Sequence, residues 1–170
     1  MKYSFLICLL IFSTLIGNWE PRANLYLSSN ANAGAALIYG QNDWIYAFRG
    51  GNTNSFYYYD ISDNIWYPAP NAPASVGPGG CLTSNWYCYP SVSMQPASHI
   101  WALRGGNTKD FWCFDLTTNS WITSFPQIPE AVNYGGSIAY GSDELGVSGS
   151  YWVYAIIGGA EAHPFTNLDQ

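Results

Sequence analysis

Two arginines in the same local sequence have the most evident binding chemistry in the chain. Arg49 and Arg104 each precede Gly-Gly-Asn-Thr, and they lie 55 positions apart. A guanidinium offers a planar fork of N–H donors that suits a carboxylate. Two interpretations are open for these arginines. One is a repeated structural ion pair or backbone hydrogen bond, with Asp60 and Asp115 as candidate partners, and the other is a site for a carboxylate or a sugar.

Catalytic and metal-binding patterns are missing from the sequence. His99 and His163 are the only histidines, and neither has a neighbouring ligand at metal spacing. No nucleophile elbow, phosphate loop or zinc-protease motif occurs. Asp60 and Asp115 recur at equivalent positions before turns, which predicts capping of backbone N–H groups rather than acid catalysis. We therefore predict no enzyme, no metal and no cofactor, although a glycosidase carboxylate pair requires only spatial proximity.

A loop rich in aromatic residues offers a second candidate site. Trp86, Tyr87 and Tyr89 lie in the insertion Ser84–Pro90. Exposed aromatic rings can stack on a sugar or anchor a protein partner. The alternative is a small local core held by Cys88, either as a free thiol or bridged to the nearby Cys81. Both interpretations stay open.

An internal repeat indicates which elements position these residues. Tyr46–Trp66 aligns without a gap on Trp101–Trp121, and a shorter third copy spans Gly135–Gly159. Each full copy predicts four short strands: a glycine-led stretch, an aromatic run ending at Gly-Gly, a third strand, and a strand centred on a tryptophan. The third strands are predicted at Phe56–Ile61 and Phe111–Leu116. The third copy is expected to lack its last two strands. Such all-β units are four-stranded antiparallel meanders that cover their faces by stacking.

The repeat resembles the kelch-type β-propeller family, in its secreted microbial variety. The family's Gly-Gly pair, aromatic-Asp pair and tryptophan match, in the first copy, Gly50-Gly51, Tyr59-Asp60 and Trp66, and, in the second, Gly105-Gly106, Phe114-Asp115 and Trp121. The resemblance implies propeller blades. The glycines would take positive φ values or allow close backbone approach, and Trp66 and Trp121 would pack between blades.

The predicted organisation follows from the repeat. A signal peptide is expected at 1–17, a leftover outer strand and linker at 18–33, blade 1 at 34–78, blade 2 at 79–134, and a partial blade 3 with a tail at 135–170. Trp19 is the candidate leftover strand residue, unless it belongs to the signal region.

The predicted ring is incomplete in this chain. Propellers close with four to eight blades, and a shorter row exposes two apolar faces and a strand edge. Either several chains assemble one ring, or the sequence is a truncated piece of a longer protein. The abrupt end of the repeat after Gly159 favours the second interpretation.

The candidate binding face follows from meander geometry. Connections between strands alternate between the two ends of a sheet, so the loop between strands two and three lies beside the linker Ala74–Pro78. The face is predicted to contain Arg49, Asn52, Thr53, Arg104, Asn107, Thr108, Lys109 and Asp110. The aromatic insertion falls at the opposite end.

Composition and the N-terminus restrict the class of protein. Charged residues are only 9%, aromatic residues are 18% and the net charge is −6. These values exclude a disordered chain and a coiled coil, and they disfavour nucleic-acid and anionic-membrane partners. Met1-Lys2 followed by the apolar run Phe5–Ile16 predicts a secretory signal, with an uncleaved anchor as the alternative. Removing the signal with Cys8 leaves Cys81, Cys88 and Cys113, an odd number.

The function predicted from the sequence is a secreted or cell-surface, non-enzymatic binding module whose partner is a protein or a glycan. No membrane contact is expected beyond the signal segment, and a homo-oligomer is expected if chains close one ring. The alternatives are part of a secreted carbohydrate-active enzyme or oxidase with a kelch-type propeller, a truncated fragment, and a structural surface-layer role.

Overall fold

The computed structural model describes residues 20–25, 31–85, 97–142, 151–159 and 166–168. Every regular element in these ranges is a β-strand, which confirms the all-β prediction. No helix in the described part of the chain is long and apolar enough to span a bilayer. The predicted signal peptide, Trp19, the aromatic insertion with Trp86, Tyr87 and Tyr89, and His163 lie outside the described residues.

Three antiparallel sheets follow one another along the chain. Sheet 1 contains β1 (Ala36–Tyr39), β2 (Trp44–Phe48), β3 (Phe56–Asp60) and β4 (Ile65–Pro68). Sheet 2 contains β5 (Cys81–Ser84), β6 (His99–Leu103), β7 (Phe111–Asp115) and β8 (Ser120–Ile122). Sheet 3 contains β9 (Ser137–Ser142), β10 (Tyr151–Ile156) and β11 (Thr166–Leu168). Each strand pairs with the next one in sequence, so the predicted four-stranded antiparallel units are present in sheets 1 and 2.

Sheet 3 departs from the prediction. The internal repeat predicts no third strand after Gly159. In the structure, however, β11 pairs with β10 from Ala155↔Thr166 to Val153↔Leu168. Strand pairing uses backbone groups, so it does not need the aromatic-Asp motif that marks the third strand in the other two sheets. Sheet 3 therefore has three described strands, in the order β11-β10-β9.

Alternating side chains pack one sheet against the next. We call the face of each sheet that points to the next sheet along the chain its forward face, and the opposite face its rear face. On the forward face of sheet 1, Phe48 and Phe56 are buried against the rear face of sheet 2, where Phe114 is buried. The forward face of sheet 2 packs in the same way on the rear face of sheet 3. The first strands of neighbouring sheets, β1 with β5 and β5 with β9, also contact each other.

Trp121 lies between sheets 1 and 2. Its ring centroid is 5.8 Å from that of Phe48 and 5.0 Å from those of Phe56 and Phe114. Its indole N–H donates to the carbonyl of Pro70 at 2.9 Å. The tryptophan therefore fastens the outer strand of sheet 2 to the linker that follows sheet 1.

The hairpins between the third and fourth strands are closed by a carboxylate. Asp60 Oδ1 accepts hydrogen bonds from the backbone N–H groups of Ser62 at 2.9 Å and Asp63 at 3.2 Å. Asp115 Oδ1 accepts those of Thr117 at 2.7 Å and Thr118 at 3.1 Å. These short-range bonds satisfy backbone donors that the tight turn leaves without ladder partners.

These hairpin carboxylates predict a pH dependence of stability. Hydrogen bonds lower the pKa of Asp60, first from the Ser62 hydroxyl and then from the Trp44 indole, and backbone N–H groups of Thr118 and Thr117 lower the pKa of Asp115. A carboxyl whose pKa is lower in the folded chain stabilises it above the ordinary value, and this contribution disappears as the pH falls through the folded value.

We expect the free energy of unfolding, measured with urea, to decrease as the pH is lowered below 3.8, the ordinary pKa of an aspartate side chain. The double variant Asp60→Asn, Asp115→Asn keeps an oxygen acceptor and cannot titrate, so its decline should be shallower. Parallel curves for the two proteins would show that other groups cause the acid sensitivity.

Candidate functional site

The loops between the second and third strands lie beside the linkers between sheets. The N–H of Asn52 donates to the carbonyl of Val76 at 3.0 Å, and the N–H of Val76 donates back to Thr53 at 2.9 Å. In the second copy, Asn107 donates to Val132 and Val132 donates to Thr108, both at 2.8 Å. We call this end of the molecule the loop edge; it comprises residues 49–55, 72–78, 104–110 and 128–134.

A run of left-handed residues shapes each loop. Gly50, Gly51 and Asn52 have φ values of 70°, 65° and 57°. Two of their backbone N–H groups form hydrogen bonds within the chain, because Gly51 donates to the carbonyl of Ala33 and Asn52 donates to that of Val76. The hydroxyl of Thr53 donates to the carbonyl of Gly50 at 2.8 Å. The equivalent residues Gly105, Gly106, Asn107 and Thr108 repeat these values and contacts. The threonines and backbone donors thus hold the loop, while the amides of both asparagines are exposed.

The side chain of Arg104 has two hydrogen-bond partners. Its Nη1 lies 2.8 Å from Asp110 Oδ2, and its Nε donates to the carbonyl of Ser75 at 2.9 Å. The partner considered from sequence was Asp115, and this pairing is wrong. Asp115 pairs with His99 at the far end of β6, whereas Arg104 follows the near end of that strand. Arg104 therefore ties the second loop to the preceding linker.

Arg49 has no equivalent carboxylate partner. The repeat places Ser55 where the second copy has Asp110. No ion pair of Arg49 is present among the described residues, and its Nε is buried without a hydrogen-bond acceptor. A buried donor left unsatisfied costs about 1–3 kcal/mol, so an added acceptor at this position would be stabilising. The third sheet carries buried Ile157 at this point, so the arginine occurs in two sheets only.

The remaining polar side chains of the loop edge supply neutral and cationic contacts. Lys109 is exposed, and its Nζ donates to the carbonyl of Pro129 at 2.6 Å. Gln127 reaches Asp110 Oδ1 at 3.4 Å from the neighbouring linker. Asn52 and Asn107 are free to present an amide donor and acceptor to solvent. The edge thus has one guanidinium without a counter-charge and several polar groups around it.

The described residues contain no metal-binding cluster. Within the described ranges, no group of three or more histidine, cysteine, aspartate or glutamate side chains could hold a metal ion. His99 Nδ1 lies 2.8 Å from the Ser98 hydroxyl, and its ring stacks near that of Trp101 with centroids 6.1 Å apart. His99 is therefore part of the packing on β6.

One described cysteine, Cys113, is a buried thiol, and another, Cys81, is a partly buried one. Cys81 and Cys113 are free, and burial raises the pKa of each to about 12. A thiol with such a pKa is not a nucleophile at neutral pH. Cys88, the other half of the bridge considered from sequence, lies outside the described residues.

Sequence reasoning missed the unpaired state of Arg49, although the signal was visible. Aligning the two copies places Ser55 opposite Asp110. Each lies one residue before the third strand, which begins at Phe56 or Phe111. This difference removes the carboxylate that accepts from Nη1, whereas the Nε of Arg104 donates to the carbonyl of Ser75. It could be recognised only once Asp110 was known to be the carboxylate partner of Arg104.

Comparisons with known proteins add little to this description. No protein-family model matches the chain, and no curated protein matches it. The solved structure of YjhT matches with a TM-score of 0.49 and 14% identity, over 73% of this chain and 33% of that chain. The chain therefore spans about a third of the length of that neighbour.

Proposed function

We propose that the chain is a segment of a secreted, kelch-type β-propeller that acts as a non-enzymatic binding module, with a protein or a glycan as partner. In this proposal each sheet is a blade and the loop edge is the binding face. The proposal is supported by the two motif-bearing sheets with matching registers, the stacking of consecutive sheets, and loops that collect at one end.

The observation that carries the proposal is the difference between Arg49 and Arg104. The second copy satisfies its guanidinium with Asp110, whose side chain is 26% exposed, so solvent reaches this position. In the first copy Ser55 leaves the equivalent position without a carboxylate. A ligand carboxylate placed there would make with Nη1 of Arg49 the charge-assisted hydrogen bond that Asp110 makes with Nη1 of Arg104.

The surroundings restrict the ligand. The chain has a net charge of −6, which repels partners of high negative charge. A single carboxylate flanked by hydroxyl or amide groups fits better, because Asn52 and Thr53 lie in the same loop. An acidic sugar residue or an acidic side chain in a protein loop has this chemistry.

The test uses glucuronate as the probe and glucose as the uncharged control. Binding is measured from changes in the Nε–H resonances of the arginines in NMR spectra. We expect glucuronate to shift the Arg49 resonance and leave that of Arg104 in place, and glucose to shift neither. Arg49→Gln should remove binding.

A matched variant supplies the control. Ser55→Asp gives Arg49 the internal partner that Arg104 already has, so it should abolish glucuronate binding while keeping both arginines and the fold. Unchanged binding by Ser55→Asp, or an equal response of Arg104, would contradict the proposed site.

A further inference from the structure

The same packing interface occurs twice within the chain. The forward face of sheet 1 covers the rear face of sheet 2, and the forward face of sheet 2 covers the rear face of sheet 3. The outward rear face of sheet 1 and the outward forward face of sheet 3 are the remaining halves of this interface. Each can be compared, residue by residue, with its covered equivalent.

The rear face of sheet 1 carries exposed apolar side chains. Leu37, opposite Ala47 in the register, is 64% exposed, whereas the equivalent Leu82, opposite Ala102, is 7% exposed. Ile61 is 38% exposed, whereas the equivalent Leu116, which follows the third strand of sheet 2, is buried. Sheet 1 therefore has the side chains of a covered rear face.

The forward face of sheet 3 shows the same contrast. Tyr154 is 38% exposed and Ile156 is 41% exposed. Their equivalents in sheet 1, Tyr46 and Phe48, are buried against sheet 2. A groove lined by Ile156, Tyr154 and Ala139 opens on this face.

Gly135, which precedes sheet 3, has the conformation of two glycines that each contact a following linker. Gly34, Gly79 and Gly135 begin the three sheets with φ values of 86°, 85° and 84°. The carbonyl of Gly77 lies against Gly34, and that of Asn133 lies against Gly79, each from the linker before the next sheet. At Gly135 no residue of the described ranges fills the corresponding space, since the nearest described atom, the Cα of Gly158, would lie 3.9 Å from an added Cβ.

The N-terminal residues repeat the arrangement of a linker that follows an outer strand. The Trp66 indole donates to the carbonyl of Ala23 at 2.9 Å, as the Trp121 indole donates to Pro70 at 2.9 Å. Residues 20–25 thus lie against sheet 1 as the linker after β4 lies against sheet 2. In sequence, Trp19-Glu20-Pro21 has the spacing of Trp66-Tyr67-Pro68 at the end of that strand.

We propose that a second copy of this chain occupies the exposed faces, with the rear face of its sheet 1 packed on the forward face of sheet 3. In this head-to-tail pair, the linker before sheet 1 of the second copy packs on Gly135. The proposal does not depend on the ligand proposed for Arg49. A heterologous contact of this kind builds a closed ring or a chain of copies.

The test blocks each face separately and measures mass by light scattering. Wild-type protein should have a mass that is a multiple of the monomer, whereas Leu37→Asp and Ile156→Asp should each be monomeric. Mixing the two variants should produce a dimer and nothing larger, because one intact rear face and one intact forward face remain. Two copies joined by identical faces would not give this result.

The control substitutes an exposed apolar residue whose equivalent stays exposed in sheet 2, which is covered on both faces. Ile65 is 48% exposed, and the equivalent residue in sheet 2 is the exposed Ser120, so Ile65→Asp should keep the wild-type mass. Circular dichroism checks folding, and Leu37→Ser with Ile156→Ser replaces any aspartate variant that loses its β spectrum. A monomeric wild type, a mass unchanged in both face variants, or a mixture that stays monomeric would overturn the proposal.

Discussion

Gly79→Ala is expected to abolish the stacking of sheets 2 and 3, whereas the same substitution at Gly135 should leave the fold intact. Both glycines have almost the same φ, at 85° and 84°, so both variants pay the left-handed cost of about 1–2 kcal/mol. A Cβ on Gly79 would in addition overlap the backbone carbonyl of Asn133. Backbone cannot rotate away as a flexible side chain can, so the linker must move.

Comparing these two variants separates the effect of the contact between Gly79 and the linker from the effect of the left-handed backbone conformation, which both glycines share. Urea unfolding followed by tryptophan fluorescence should give a small shift of the midpoint for Gly135→Ala and a protein without a cooperative transition for Gly79→Ala. Equal, small shifts for the two variants would mean that the linker yields easily and that the contact at Gly79 does not hold the sheets together. In an assembled protein, Gly135→Ala should also weaken the head-to-tail contact.

Phe56→Ala is expected to have the second largest effect. Phe56 is completely buried, and its ring centroid lies within 5.0–5.6 Å of those of Trp121, Phe114, Phe48 and Tyr46. Truncating a buried phenylalanine typically costs about 3–5 kcal/mol, because it loses the transfer free energy and leaves a cavity. The loss should fall on the interface between sheets 1 and 2.

Chemical denaturation measures this cost directly. Ile65→Ala serves as the control, since Ile65 is exposed and substitutions at surface positions usually change stability by less than about 0.5 kcal/mol. A loss below about 1.5 kcal/mol for Phe56→Ala, which is typical of swaps that conserve volume, would show that the aromatic cluster closes over the gap.

Much of the fold could be predicted because the repeat determines the register. The Gly-Gly pairs, the aromatic-Asp pairs and the tryptophans recur at fixed spacing, so each predicts the end of one strand and the start of the next. The third strands end at Asp60 and Asp115, one residue before the predicted ends. There each carboxylate accepts N–H groups of the following turn and ends the ladder. The position of the loops beside the linker follows from the same meander order.

The partner of Arg104 could not be inferred from the motif alone. Asp115 belongs to the most evident motif, but it lies at the opposite end of a five-residue strand, roughly 13 Å from the loop edge. Asp110 lies in the variable part of the loop, so its role becomes visible only in three dimensions. The strand β11 was missed for a related reason, since Thr-Asn-Leu carries none of the motifs that mark the third strands of sheets 1 and 2.

The order of the strands also has a consequence for how the protein is made. Every strand pairs with its neighbour in sequence, so each sheet can form soon after its own residues leave the ribosome. Sheet 1 exposes its forward face only until sheet 2 emerges, and sheet 2 then waits for sheet 3. Each sheet acts as the template on which the following one condenses, and the forward face waiting to be covered within the chain is, at any moment during synthesis, that of the most recently formed sheet.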